Sequence, residues 1–149
     1  MRVSLAMSVA ERETFLAGVH IGVLGVSDGR ERGPWLVPIW YGYEPGGLIR
    51  IITGAESRKM PALRRAGRCS LCVQTEDPPY RYVTVEGPVV AIEHPVDEDE
   101  RRSLAHRYLG ADAGEAYLAA TVDLAAGEVV VSLRPERWLS ADYAKQQFG

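Results

Sequence analysis

Short β-forming runs, each cut off by a turn signal, constrain this chain more than any other feature. Residues 19–26, 35–43 and 48–53 are rich in β-branched, aromatic and aliphatic side chains. Between them stand Ser27-Asp28-Gly29 and Glu44-Pro45-Gly46-Gly47, residues that supply the backbone angles of tight reversals. The spacing predicts an antiparallel meander. Residues 69–75 and 80–93 extend the pattern across Asp77-Pro78-Pro79, and Glu128–Leu133 is a last strong strand ahead of Arg134-Pro135. Six strands with few helices predict a mainly β fold closed into a barrel, with the helices at its periphery.

The helices announce themselves through their ends. Ser8-Val9-Ala10-Glu11 has the capping-box form and Gly18 stands at a plausible stop, so a first helix is expected there. A short helix is expected over residues 57–66, with Pro61 in its first turn and Gly67 at its end. Residues 95–109 carry Asp97, Glu98, Asp99 and Glu100 at the start and Arg107 near the end, as the helix dipole prefers. Leu104, Tyr108 and Leu109 are expected to face inward, and the acidic run is read as hydrated rather than metal-binding. Asp112 and Glu115 predict a similar capped start for a helix over residues 112–120.

Length and charge limit what such a fold does. With 149 residues and 46% hydrophobic content, one core and one domain over residues 1–149 are expected, without a structural metal or disulfides. A net charge of -3 argues against nucleic acid or an anionic membrane as the main partner. No apolar run approaches the ~20 residues that span a bilayer. The N-terminal apolar stretch behind Arg2 is too short for a signal peptide and is stopped by Glu11, Arg12 and Glu13. Two cysteines cannot form a disulfide framework, so a cytoplasmic setting is expected.

Three features are candidates for chemistry. Cys69-Ser70-Leu71-Cys72 has redox spacing, but in a strand residues three apart point to opposite faces, so the thiols are read as structural. His20, His94 and His106 stand alone in their segments, without ligand spacing or a nucleophile motif, and receive no catalytic role. The third is Thr53-Gly54-Ala55-Glu56-Ser57-Arg58-Lys59, where a strand ends in a small-residue turn and runs into a helix. Amides of a helix start, the hydroxyls of Thr53 and Ser57, and the charges of Arg58 and Lys59 make a cradle for a dianionic phosphate.

This cradle, with Leu63-Arg64-Arg65, the stretch from Arg68 to Val73, and Tyr80-Arg81-Tyr82-Val83-Thr84-Val85-Glu86-Gly87, resembles the pyridoxamine 5'-phosphate oxidase-like split barrels. Within them it is most similar to the flavin/deazaflavin oxidoreductase branch, many members of which use coenzyme F-420. The likeness runs from the first helix to Trp138 and Asp142-Tyr143. It implies a six-stranded antiparallel split barrel, a homodimer, and a cofactor groove where the subunits meet. By position, Thr53, Ser57, Arg58 and Lys59 are expected to hold the cofactor phosphate. Pro38, Ile39, Trp40 and Tyr41 correspond to the strand along the ring system, and Tyr82 to a position near the cofactor where the phosphate-ester oxidases commonly carry Gln. Trp40 also reads as a barrel-core aromatic.

The departures from that pattern narrow the activity. Residues 35–43 hold no Arg or Lys, and the tail after Trp138 lacks the arginine motif of the vitamin B6 oxidases, so that reaction is not expected. Ala62-Leu63 stands where the deazaflavin branch commonly has Asn-Leu. The expected activity is hydride transfer from reduced coenzyme F-420 to a small conjugated acceptor such as a quinone or tetrapyrrole. The protein's share would be placement of donor and acceptor, with Tyr82, Tyr41 or solvent relaying a proton. FMN in the same groove, or a non-catalytic carrier of flavin or haem, are the alternatives.

Overall fold

The computed structural model describes residues 3–29 and 31–146, so Arg2 lies outside the described residues. Helix α1 (Val9–Ala17) starts as its sequence dictates. Ser8 Oγ accepts from the Glu11 N–H at 3.1 Å while the Glu11 carboxylate accepts from the Ser8 N–H at 3.0 Å. There follow β1 (Gly22–Val26), β2 (Trp35–Ile39), β3 (Ile49–Gly54), α2 (Lys59–Ala66), β4 (Arg68–Gln74) and β5 (Arg81–Glu93). The chain continues through α3 (Glu98–Leu109), α4 (Ala111–Ala120), α5 (Val122–Ala125), β6 (Glu128–Leu133) and β7 (Arg137–Asp142).

Every strand pairing is antiparallel, in the order β2-β1-β4-β5-β6-β3, with β7 added on β5. The long strand β5 makes the barrel. Its first half pairs with β4 and β7, its second half with β6, and a register shift between Val89 and Ala91 bends it from one half to the other. Gly87 lets the halves close. A Cβ there would stand 1.8 Å from the Arg134 carbonyl oxygen, so only glycine lets the β6–β7 connection lie against β5.

Alternating burial follows from this curl. Leu24, Val26, Ile49, Ile51, Leu71, Val73, Val83, Val85, Val131 and Leu133 point into one core, capped by Phe15 and Leu16 of α1 and by Met60 and Leu63 of α2. At the end of α2, Gly67 takes a left-handed φ of 65° and donates to the Leu63 carbonyl at 2.9 Å.

The expected split barrel is present, with corrections of detail. The meander stops after one hairpin: β3 pairs with β6, and only an isolated bridge between Gly42 and Arg50 links it to the end of the β2 segment. The reason is non-local, because the apolar partners of Ile49 and Ile51 are Leu133 and Val131, some 80 residues away. A strand beyond the expected six, β7, pairs with β5 although its Arg-Trp-Leu-Ser-Ala-Asp sequence has weak β character. Residues 19–21 and 40–43 lie outside the strands. In α3, Leu109 is 40% exposed, and the residues buried are Arg101 and Ala105. In α4 the N-cap is Gly110; Asp112 makes no side-chain cap, and Glu115 bonds to Arg102 and His106 instead.

Asp97 caps α3 by accepting from the N–H groups of Asp99 and Glu100. The acidic run is not simply hydrated, since the Glu100 carboxylate takes two 2.7 Å hydrogen bonds from Arg50 of β3. That pair helps to hold the α3–α4 hairpin over one end of the barrel.

Candidate functional site

A cavity of about 380 Å³ lies where the ends of β2 and β3 meet the α3–α4 hairpin. One wall is the end of β2 and the residue after it, Pro38, Ile39 and Trp40; Thr53 and Lys59 form one end; Arg101, Tyr117 and Glu128 line the rest. Local sequence explains the cationic end. Thr53 is the last inward-facing residue of β3, Gly54-Ala55 turn the chain, and Lys59 opens α2 with Pro61 in its first turn.

Lys59 is 7% exposed. Its ammonium donates to Thr53 Oγ1 and, at 3.1 Å, to Ser57 Oγ. Two hydroxyls do not neutralise a charge, and no carboxylate lies within 4.0 Å of Lys59 among the described residues. Burial pushes the Lys59 pKa down. An ammonium with three donors therefore has one to spare for an anion. The helix-start amides contribute little, since the Met60 N–H donates to the Ser57 carbonyl at 3.1 Å and Pro61 has none.

The expected site residues divide. Thr53, Ser57 and Lys59 come together, and Pro38, Ile39 and Trp40 line the same cavity as Thr53 and Lys59. Arg58 is exposed and does not line it. Tyr41 is fully buried away from it, its hydroxyl donating to the Leu16 carbonyl at 2.6 Å and its pKa pushed up by burial. Tyr82 lies on the outer face of β5, beside Gln74 and Ala141, outside this cavity. Trp40 is both wall and packing: it stacks on Tyr108 at 5.0 Å with the rings 4° from parallel, and tilts against Tyr117 at 5.2 Å.

The sequence reading missed Arg101, Tyr117 and Glu128. Arg101 is 5% exposed; its Nε donates to Glu128 at 2.7 Å and its Nη2 to Thr121 Oγ1 at 2.7 Å. A basic residue in a strongly charged helix carries no local mark of burial. Its partner sits 27 residues away, at the start of β6.

Chemically, the cavity offers a buried cation at one end, an apolar and aromatic wall, and an internal ion pair. No histidine lines it, and no cluster of three metal-ligating side chains occurs among the described residues. Cys69 is buried, with its thiol pushed up to about 11, and Cys72 is half-buried on the opposite face of β4; both are free. No helix is long and apolar enough to cross a membrane among the described residues.

The sequence model of the family described as pyridoxamine 5'-phosphate oxidase matches residues 9–141. The chain belongs to this family. No curated protein matches the sequence. Among solved structures, a conserved hypothetical protein, Rv2991, from Mycobacterium tuberculosis is 26% identical with a TM-score of 0.73, covering 99% of this chain and 96% of its own. A structure named F420 reductase is 22% identical with a TM-score of 0.68, over 90% of this chain and 96% of its own. A FAD-binding protein from Mesorhizobium loti is 20% identical with a TM-score of 0.59, over 90% and 91%. The family model thus spans most of the described chain, and these solved structures share its fold.

Proposed function

We propose that this protein is an oxidoreductase that binds reduced coenzyme F-420 and passes hydride to a small conjugated acceptor such as a quinone or tetrapyrrole. The observation that carries this reading is the buried Lys59 ammonium, held by two hydroxyls with no carboxylate within 4.0 Å among the described residues, at one end of a cavity walled by Pro38, Ile39 and Trp40. These residues fit a flat ring with a phosphate-bearing arm. When bound, the reduced deazaflavin supplies a hydride, which leaves it oxidised and leaves the acceptor to take one proton from solvent.

Lys59, Thr53 and Ser57 hold the phosphate, with Arg58 outside the groove and free of that task. Pro38 and Ile39 give the ring an apolar bed, and Trp40, fixed by Tyr108, keeps that bed from collapsing. Leu104, Ala105 and Tyr117 of the α3–α4 hairpin cover one side of the groove. Tyr41 is too deeply buried to relay a proton. The free thiols accord with a reducing, cytoplasmic setting.

A second copy of the chain is part of the proposal. The outer face of β2-β1-β4-β5-β7 presents Pro38, Val23, Cys72, Thr84 and Leu139 in one cross-strand row, and Leu36 and Leu139 are 67% and 62% exposed. Pro38 belongs to that face and to the groove, so a copy seated on the sheet would border the cofactor, as the expected homodimer requires. Tyr82 lies on the same face and would act only through that interface.

A carrier without catalysis is the second reading, favoured by one observation: among the described residues the sole acid lining the cavity, Glu128, is engaged by Arg101. Titration of purified protein with F-420, FMN and haem, followed by addition of quinone, tests both. Binding of F-420 with consumption of the reduced form supports the enzyme. Binding without consumption leaves the carrier, and absence of flavin-type binding overturns both.

A further inference from the structure

The charge of the groove has a structure of its own. Among the described residues three charged side chains line it: Lys59, Arg101 and Glu128. Arg101 and Glu128 meet at 2.7 Å with both side chains nearly buried, at 6% and 15% exposure, so together they present no net charge. Arg58 points elsewhere. One uncompensated cation remains, Lys59.

A phosphomonoester carries roughly -1.5 to -2 at pH 7, whereas a phosphate esterified on both sides carries a single negative charge. Against the buried Lys59 and Arg101–Glu128 groups, a second negative charge without a partner is disfavoured. Glu128 stands at the first position of β6, paired in register with Gly54, next to the strand end that carries Thr53. A phosphate held by Thr53 and Lys59 therefore shares a small space with that carboxylate. Arg101 meanwhile commits Nε and Nη2 to Glu128 and Thr121, and its Nη1 makes no hydrogen bond among the described residues.

Given the groove reading above, we infer that Glu128 is a specificity-determining residue. By cancelling Arg101 it limits this chain's groove to one effective positive charge and matches it to a cofactor whose arm phosphate is a diester, against one that ends in a phosphomonoester. Removing the carboxylate's charge while keeping its shape releases Arg101 and shifts the preference toward the dianion.

Three probes share one ring and differ in arm charge: riboflavin, the monomethyl ester of FMN, and FMN. Their affinities are read by fluorescence titration against the wild-type chain, Glu128→Gln, and the double variant Arg101→Met/Glu128→Leu, with thermal melting to verify folding. The wild type should bind the methyl ester at least as tightly as FMN, and both more tightly than riboflavin. Glu128→Gln should shift the FMN-to-ester affinity ratio toward FMN by roughly tenfold. The double variant removes both charges with apolar groups of similar volume and should hold the ratio within about twofold of wild type. A folded Glu128→Gln protein with the wild-type ratio overturns the charge-cancelling role, as does a double variant that shifts equally. Equal wild-type affinity for riboflavin and FMN instead overturns the phosphate groove itself.

Discussion

Lys59 is maintained against its own stability. Burying an ammonium without a counter-charge lowers its pKa and costs free energy that Thr53 and Ser57 offset only in part. Lys59→Met should therefore weaken binding of phosphate-bearing flavins by roughly ten- to a hundredfold while raising the melting temperature of the ligand-free protein. Arg58→Ala, at an exposed position, should change affinity by less than about threefold. Calorimetric titration and melting curves check the pair, and equal losses at both positions would move the phosphate out of the groove.

The same lysine gives a pH signature. Because its folded pKa lies below the unfolded value, the unfolded chain holds that proton more tightly. Lys59 therefore penalises folding fully below the folded pKa, and the penalty fades as pH rises from there to the ordinary lysine value. Denaturant unfolding of wild type and Lys59→Met should converge in stability as pH climbs through that alkaline window. A constant difference would show that the ammonium is not the source of the cost.

At the scale of elements, the α3–α4 hairpin is tied to the barrel by long polar side chains. The Tyr108 hydroxyl donates to the His20 carbonyl at 2.7 Å and accepts from the Tyr41 N–H at 3.1 Å, while Arg107 donates to the carbonyls of Ala17 and Gly18 at the end of α1. Tyr108→Phe keeps the stack on Trp40 but leaves those backbone groups unpaired, at a cost of about 1–3 kcal/mol. Chemical denaturation should register that loss, and amide exchange should quicken in α3. Gly87→Ala is the harsher test of an element junction, since the new methyl would meet the Arg134 carbonyl. A loss of about 3 kcal/mol or more is expected from the displaced β6–β7 connection.

These elements also show what sequence carries and what it does not. The α1 start was legible because Ser8 and Glu11 satisfy each other within one turn. The β4–β5 hairpin was legible because Pro78-Pro79 interrupts two apolar runs. Thr53, Ser57 and Lys59 were legible as a group because a strand end, a turn and a helix start bring neighbours in sequence together. The β3–β6 pairing, β7 and the Arg101–Glu128 pair were not, because each depends on residues distant in the chain. The separation of Arg58 from Lys59 was not legible for a related reason: adjacent helical residues point about 100° apart, so Lys59 turns inward while Arg58 faces water.

For the whole molecule, the decisive question is what covers the outer sheet. A five-stranded face with Leu36, Val23 and Leu139 exposed carries apolar surface that the barrel's own helices leave open. If a second copy covers it, a charge placed there must split the pair. Leu139→Glu puts a carboxylate beside Thr84 on the outer face, where it meets water in a monomer and an apolar surface in a dimer. The substitution should leave the monomer's fold intact by circular dichroism, because Leu139 contributes nothing to the core. Sedimentation should show a dimer for wild type and a monomer for the variant. Cofactor affinity should fall with it, since Pro38 joins that face to the groove. A variant that stays dimeric would place the interface elsewhere, and a monomer that binds as tightly as wild type would show that one chain suffices to hold the cofactor.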